Sequence, residues 1–220
     1  LLRIKAVRLS PQKPFTWASG WKSPIYCDNR KALSHPVMRT YIRQQFVQAI
    51  TNEFGKPDMI AGVATGGIAH GALVAQELGL PFIYVRSSAK EHGMKNMVEG
   101  DLTQGRNVIV VEDLVSTGKS SLQAVASLRE AGCEVKGMVS IFTYRLKVAS
   151  EAFAQAKVRL HALTDYHILL DQAIADNYIT EKDLISLNAW REDPANWDGP
   201  ATAAGTATRS RKTTPEKPAK

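Results

Sequence analysis

The sequence predicts an α/β fold, a parallel sheet flanked by helices, with a small N-terminal hood formed by residues 1–35. Three observations lead there. From residue 36 onward, segments with helical spacing alternate with short apolar segments. Those apolar segments, such as "MIAGV" and "NVIVV", are hydrophobic throughout, as strands covered on both faces are. The chain is also long enough, since 220 residues, 44% of them hydrophobic, can enclose one sizeable core.

The opening stretch does not share the alternation. "PQKPFTWASGWKSPIYCDNRKALS" is punctuated by Pro and Gly and carries four aromatics, Phe15, Trp17, Trp21 and Tyr26. It reads as an irregular cap over the sheet edge, a natural place for substrate discrimination. Residues 36–190 are then expected to form the core domain, opening on a helix in "HPVMRTYIRQQFVQAITNEFG". Pro36 suits its first turn, Ile42, Phe46 and Ile50 line one face, and Gly55 stops it. A strand "DMIAGV", a turn "ATGG" and a helix "IAHGALVAQELG" follow, then a strand "PFIYVR" and a polar stretch from Ser87 to Arg106. "NVIVV" is the next strand, "TGKSSLQAVASLREAG" the next helix and "VKGMVSIFTY" the strand after it. A helix near "ASEAFAQA", a strand "VRLHAL" and a last helical region complete the core. In such sheets ligands collect at the carboxyl ends of the strands, so loops 64–67, 86–100 and 112–120 are expected to line one cleft.

Residues 191–220 are expected to be an extension, disordered from about residue 200. From there on the chain has no Leu, Ile, Val or aromatic residue and is rich in Ala, Thr and Pro, too little to pack. The same tail holds five basic residues and one acid, so +4 of the net +7 lies there and +3 is left for the rest. A mildly basic body suits a small anionic substrate better than nucleic acid. No apolar run approaches the ~20 residues of a membrane span, and the charged start "LLRIKAVRLS" lacks a secretory pattern. Cys27 and Cys133 match no metal or redox spacing and read as two buried thiols of a cytoplasmic protein. His35, His70, His161 and His167 are isolated and read as structural or surface residues.

The segment "VIVVEDLVSTGKSS" carries the chemistry. Its Gly118-Lys119-Ser120 ends like the phosphate loop of nucleotide triphosphatases, GxxxxGK[ST]. The leading glycine of that pattern falls on Asp113, whose carboxylate would oppose a triphosphate, so this reading fails. The carboxylates make sense for a ribose 5-phosphate. Glu112 and Asp113 take the 2′- and 3′-hydroxyls, and backbone N–H groups and hydroxyls between Ser116 and Ser120 hold one phosphate. The same acids can stabilise positive charge developing on the ribose ring as a bond at C1′ breaks.

The pattern of apolar strand, two acids, two apolar residues and Ser-Thr-Gly resembles the phosphoribosyl-diphosphate (PRPP) motif of type I phosphoribosyltransferases. "FTWASGWKSPIYCDNR" and "VRSSAKEHG" are similar to the N-terminal and mobile-loop motifs of orotate phosphoribosyltransferases. The three lie in that family's order, and the likeness spans roughly residues 10–185. It implies a type I phosphoribosyltransferase fold and transfer of ribose 5-phosphate from PRPP to N1 of orotate, releasing pyrophosphate. It implies PRPP contacts at Arg86, Lys90, His92, Glu112, Asp113, Leu114, Val115, Ser116, Thr117, Gly118, Lys119 and Ser120, with Lys90, His92, Glu112 and Asp113 catalytic. Thr65, Gly66 and Gly67 become the pyrophosphate loop, where small residues let amides approach closely, and Ser116 and Arg145 the orotate contacts. Ala18 and Ser87 stand where many members carry Lys, with Lys22 and Lys95 nearby. Mg²⁺ is expected to arrive bound mainly to PRPP or pyrophosphate, because no protein ligand cluster is evident in the sequence. A cytoplasmic homodimer with active sites shared across its interface is implied as well. A phosphoribosyltransferase for another base and a PRPP-sensing regulator are the alternatives. The aromatic cap and Arg145 weigh against a purine, and the loop cations weigh against a mere sensor.

Overall fold

The computed structural model describes residues 1–17, 20–86, 97–102 and 106–200. A six-stranded sheet forms its centre, in the order β10-β9-β8-β5-β6-β7. These strands are β5 (Met59–Val63), β6 (Phe82–Val85), β7 (Val98–Glu99), β8 (Asn107–Val115), β9 (Glu134–Thr143) and β10 (Leu160–Asp165). The first five in spatial order are parallel. The expected polar stretch 87–106 contributes β7, which pairs antiparallel with β6, so the sheet is mixed, mostly parallel. Two residues carry too little apolar periodicity to be seen as a strand in isolation.

Helices cover both faces. α1 (Pro36–Phe54) and α2 (Gly66–Leu78) pack Ile42, Phe46, Ile50 and Val74 against Ile60, Ile109, Val111 and Val139. On the other face, α3 (Lys119–Glu130) and α4 (Lys147–Gln155) bury Val125, Leu128 and Phe153 against Val108, Val110 and Met138. Alternate residues of β8 thus feed opposite cores, which is why "NVIVV" carries no polar position. His70 of α2 is buried edge-on to Phe46, and desolvation pushes its pKa down to about 4, so it sits there neutral.

The expected last helical region resolves into α5 (Tyr166–Ala175) and α6 (Glu181–Glu192). Asp165 caps α5, and a Thr180–Asp183 capping box opens α6. The opening segment is more regular than expected. β1 (Val7–Leu9) pairs with β4 (Ile25–Cys27), β2 (Phe15–Thr16) with β3 (Lys22–Ser23), and a 3-10 helix spans Asn29–Ser34. Aromatic packing ties this hood to α6. Trp190 stacks within 5.6 Å of Trp17, Tyr144 and Tyr166 and donates through Nε1 to the Lys22 carbonyl at 3.1 Å. Trp190 is fully buried. Trp190→Ala is therefore expected to cost ~3–5 kcal/mol, read as a lower denaturant midpoint, and an unchanged midpoint would deny it this role.

Candidate active site

β8 runs four residues past the expected "NVIVV", because β9 keeps pairing with it through Leu114↔Phe142 and Val115↔Thr143. Glu112 and Asp113 therefore sit near the carboxyl end of a strand, held by a ladder, and not on a loose loop. Glu112 is buried, its Oε1 accepting from the Asp113 N–H (3.0 Å) and its Oε2 from Ser121 Oγ of α3 (2.9 Å). Asp113 turns towards α2, so close to Gly66 that a Cβ there would overlap its carboxyl group. Burial first, then the neighbouring Asp113 carboxyl, raises the Glu112 pKa well above the usual range; burial also raises that of Asp113, against the pull of Arg30. Two acids sharing a desolvated site favour a bound cation or a diol that satisfies their lone pairs.

Around this pair the structure gathers the other motifs. Gly118, with φ at +80°, turns the chain into α3, where a side chain would also meet Phe153. The first amides of α3, at Lys119, Ser120 and Ser121, have no acceptor within the helix and no side-chain cap, the usual arrangement for a phosphate. Ser116 and Thr117 are half-buried, while Lys119 and Ser120 are exposed. Val115, expected among the PRPP contacts, turns its side chain wholly into the core, because strand alternation places it opposite Leu114 and Ser116. Thr65 precedes α2, and Gly67 packs so tightly on the Val111 carbonyl that no side chain fits. Arg86 follows β6, 3.6 Å from Glu99. Lys90 and His92, with Ser87, Lys95 and Ala18, lie outside the described residues.

Beside Asp113 opens a cavity of about 240 Å³ lined by Thr16, Trp17, Tyr26, Cys27, Leu114, Ser116 and Tyr144. Its aromatic walls and size suit a single flat ring. Cys27, expected to be buried, is instead half-buried at this wall, and burial with the nearby acids raises its thiol pKa. Lys22, noted in the sequence as near Ala18, places its ammonium 3.3 Å from the Asp198 carbonyl. Arg145 follows the end of β9, and its guanidinium, paired with Asp165, borders a separate cavity of about 250 Å³ and not the aromatic one. Sequence reasoning missed Asn29, which is fully buried and donates to the Asp113 carbonyl at 2.8 Å, fastening the hood to the acid pair. The "CDNR" run was its signal, but only the folded hood shows where Asn29 points. Tyr144 and Asp165 were missed too, since neither spacing nor charge marks them.

The phosphoribosyl transferase domain model matches residues 33–158. Among curated proteins, the orotate phosphoribosyltransferase of Bacteroides thetaiotaomicron is 57% identical over 198 residues, covering 90% of this chain and 93% of that relative. That of Listeria monocytogenes is 49% identical over 197 residues, covering 90% and 94%. Among solved structures, orotate phosphoribosyltransferase from Aeropyrum pernix matches with a TM-score of 0.70 at 29% identity, covering 78% of this chain and 94% of that one. UMP synthase from Leishmania donovani matches with a TM-score of 0.72 at 26% identity, covering 87% of this chain and 40% of that one. With an acid pair, two glycine-bearing turns and a flat aromatic slot meeting at one sheet edge, and with relatives this close over nine-tenths of its length, the chain belongs to the orotate phosphoribosyltransferases, within the type I phosphoribosyltransferase fold.

Proposed function

We propose that the orotate phosphoribosyltransferase reaction runs here as follows. The C1′–oxygen bond of PRPP breaks and diphosphate leaves with the bonding electrons, while N1 of orotate bonds to C1′ and gives up its proton, which the departing diphosphate can take, giving orotidine 5′-phosphate for pyrimidine nucleotide synthesis. The 5′-phosphate takes the turn from Ser116 to Ser120, and the ribose diol takes Glu112 and Asp113. The diphosphate lies against Thr65, Gly66 and Gly67, with Arg86, Lys90 and His92 supplying positive charge. The pyrimidine ring enters the aromatic slot beside Ser116, and Arg145, whose guanidinium lines a separate cavity with Asp165, must turn from it to receive the orotate carboxylate. The single observation behind this arrangement is the packing of Asp113 against Gly66, which puts the ribose-binding acid and the pyrophosphate turn in direct contact.

Catalysis by these residues is positioning and electrostatics. The acids steady positive charge on the ribose ring, and the 86–100 loop excludes water that would hydrolyse C1′. Among the described residues no three His, Cys, Asp or Glu side chains converge on one point. A pair of acids beside a glycine turn fits a Mg²⁺ that arrives with PRPP; Glu112 and Asp113 would help hold it, and the ion would neutralise charge on the leaving group. Among the described residues no helix is long and apolar enough to cross a membrane. A cytoplasmic homodimer with sites shared between subunits completes the proposal.

Mixing protein, PRPP, Mg²⁺ and orotate should consume orotate absorbance, while uracil, hypoxanthine and adenine should compete poorly. Preferential use of any of those bases would overturn the assignment of the slot. Lys90→Ala is expected to lower turnover by ~10²-fold, and unchanged turnover would remove the loop from the mechanism.

A further inference from the structure

We infer that Asn29 is a positioning residue for the acid pair, holding the Asp113 main chain so that its carboxylate keeps its place beside Gly66; this rests on the reading of Asp113 as a ribose contact given above. β5 pairs with β8 only as far as Gly62↔Val111, whereas β9 accompanies β8 to Val115. Asp113 thus lies on a stretch of strand that the sheet pairs along one flank only. The hood adds a second hold. Its 3-10 helix packs against both β8 and α2, the helix that begins at Gly66. Asn29, the first residue of that 3-10 helix, is fully buried and donates through Nδ2 to the Asp113 carbonyl at 2.8 Å.

The Asn29 amide has a single orientation here. Its Oδ1 accepts from Cys27 Sγ at 3.4 Å while Nδ2 faces the carbonyl, so turning it over would set two acceptors against each other. Burial first, then the Asp113 charge, raises the thiol pKa, which keeps Cys27 protonated and able to donate. Cys27 and Tyr26 also line the aromatic slot, so Asn29 ties a wall of that slot to the ribose-binding acid. A short aspartate side chain follows its main chain closely. A displacement of about 1 Å at a reacting centre can cost on the order of 10²-fold in rate. Asn29 therefore supports PRPP use without touching PRPP.

Asn29→Leu keeps most of the volume and removes both polar ends. It is expected to lower kcat/KM for PRPP ~10-fold, with the orotate KM moving less than ~2-fold. In an Asp113→Asn background the carboxylate is already gone, and the same substitution should change kcat/KM for PRPP less than ~2-fold. If Asn29 merely keeps the hood in place, the loss will be equal in both backgrounds, or the orotate KM will rise together with that for PRPP. Either result overturns the inference, as does unchanged PRPP use in the Asn29→Leu variant. If Asp113→Asn alone leaves PRPP use intact, the ribose reading of that acid fails first, and the inference falls with it. Should Asn29→Leu give no cooperative melt, Asn29→Ser, polar but too short for the same reach, carries the same expectations.

Discussion

Glu112→Gln is expected to lower turnover 10²- to 10³-fold while making the protein more stable at pH 8. The activity loss follows from removing one acid of the pair that faces the ribose. The stability gain follows from the site's electrostatics. Burial and the adjacent Asp113 carboxyl hold the Glu112 pKa well above the ordinary range. Below about pH 4 the group is protonated in folded and unfolded chains alike, and its burial carries no charge penalty. As pH rises towards the raised folded value, the unfolded chain gives up its proton first, and the folded state loses stability. Glutamine removes that loss and can still accept from the Asp113 N–H or Ser121. A gain on the order of 1 kcal/mol, about 2–4 °C in melting temperature, is expected at pH 8 and little at pH 4. Thermal melts at the two values with a turnover assay would check both halves. A variant that melts lower at pH 8, or keeps full turnover, would show that the acid is not held in a costly state for catalysis.

Gly66→Ala is expected to reduce kcat/KM for PRPP by ~10²-fold or more, with a modest loss of stability. The new methyl would overlap the Asp113 carboxyl, a short side chain that can swing aside only by leaving its place beside Glu112. The next position provides the contrast. Gly67→Ala meets the Val111 carbonyl, which belongs to the central strand and cannot move without opening the sheet. That variant should lose ~2–4 kcal/mol of stability in denaturant titration. Equal effects of the two substitutions on stability and on PRPP use would mean that the turn is merely tightly packed and does not position Asp113.

Much of the central architecture was legible because burial on both faces leaves a plain mark. "MIAGV" and "NVIVV" became β5 and β8, and Pro36 and Gly55 bracket α1 as expected. Boundaries were less legible where a neighbour decides them. β8 extends through Glu112 to Val115 because β9 supplies pairing partners there, and two acids in sequence give no hint of that ladder. The hood was read as irregular because its strands are two or three residues long, too short for alternation to register.

The sequence by itself determined the family, the layered α/β core and the acid pair followed by a phosphate-binding turn, because each depends on residue type at short spacing. The tertiary structure alone decided what those residues touch. It turned Val115 into the core, set Gly66 against Asp113, brought Asn29 under the same acid from 84 positions away and placed Asp165 on Arg145. Such contacts arise where strand ends and loops meet in space, and hydrogen bonds between distant segments leave no periodicity along the chain to be read in advance.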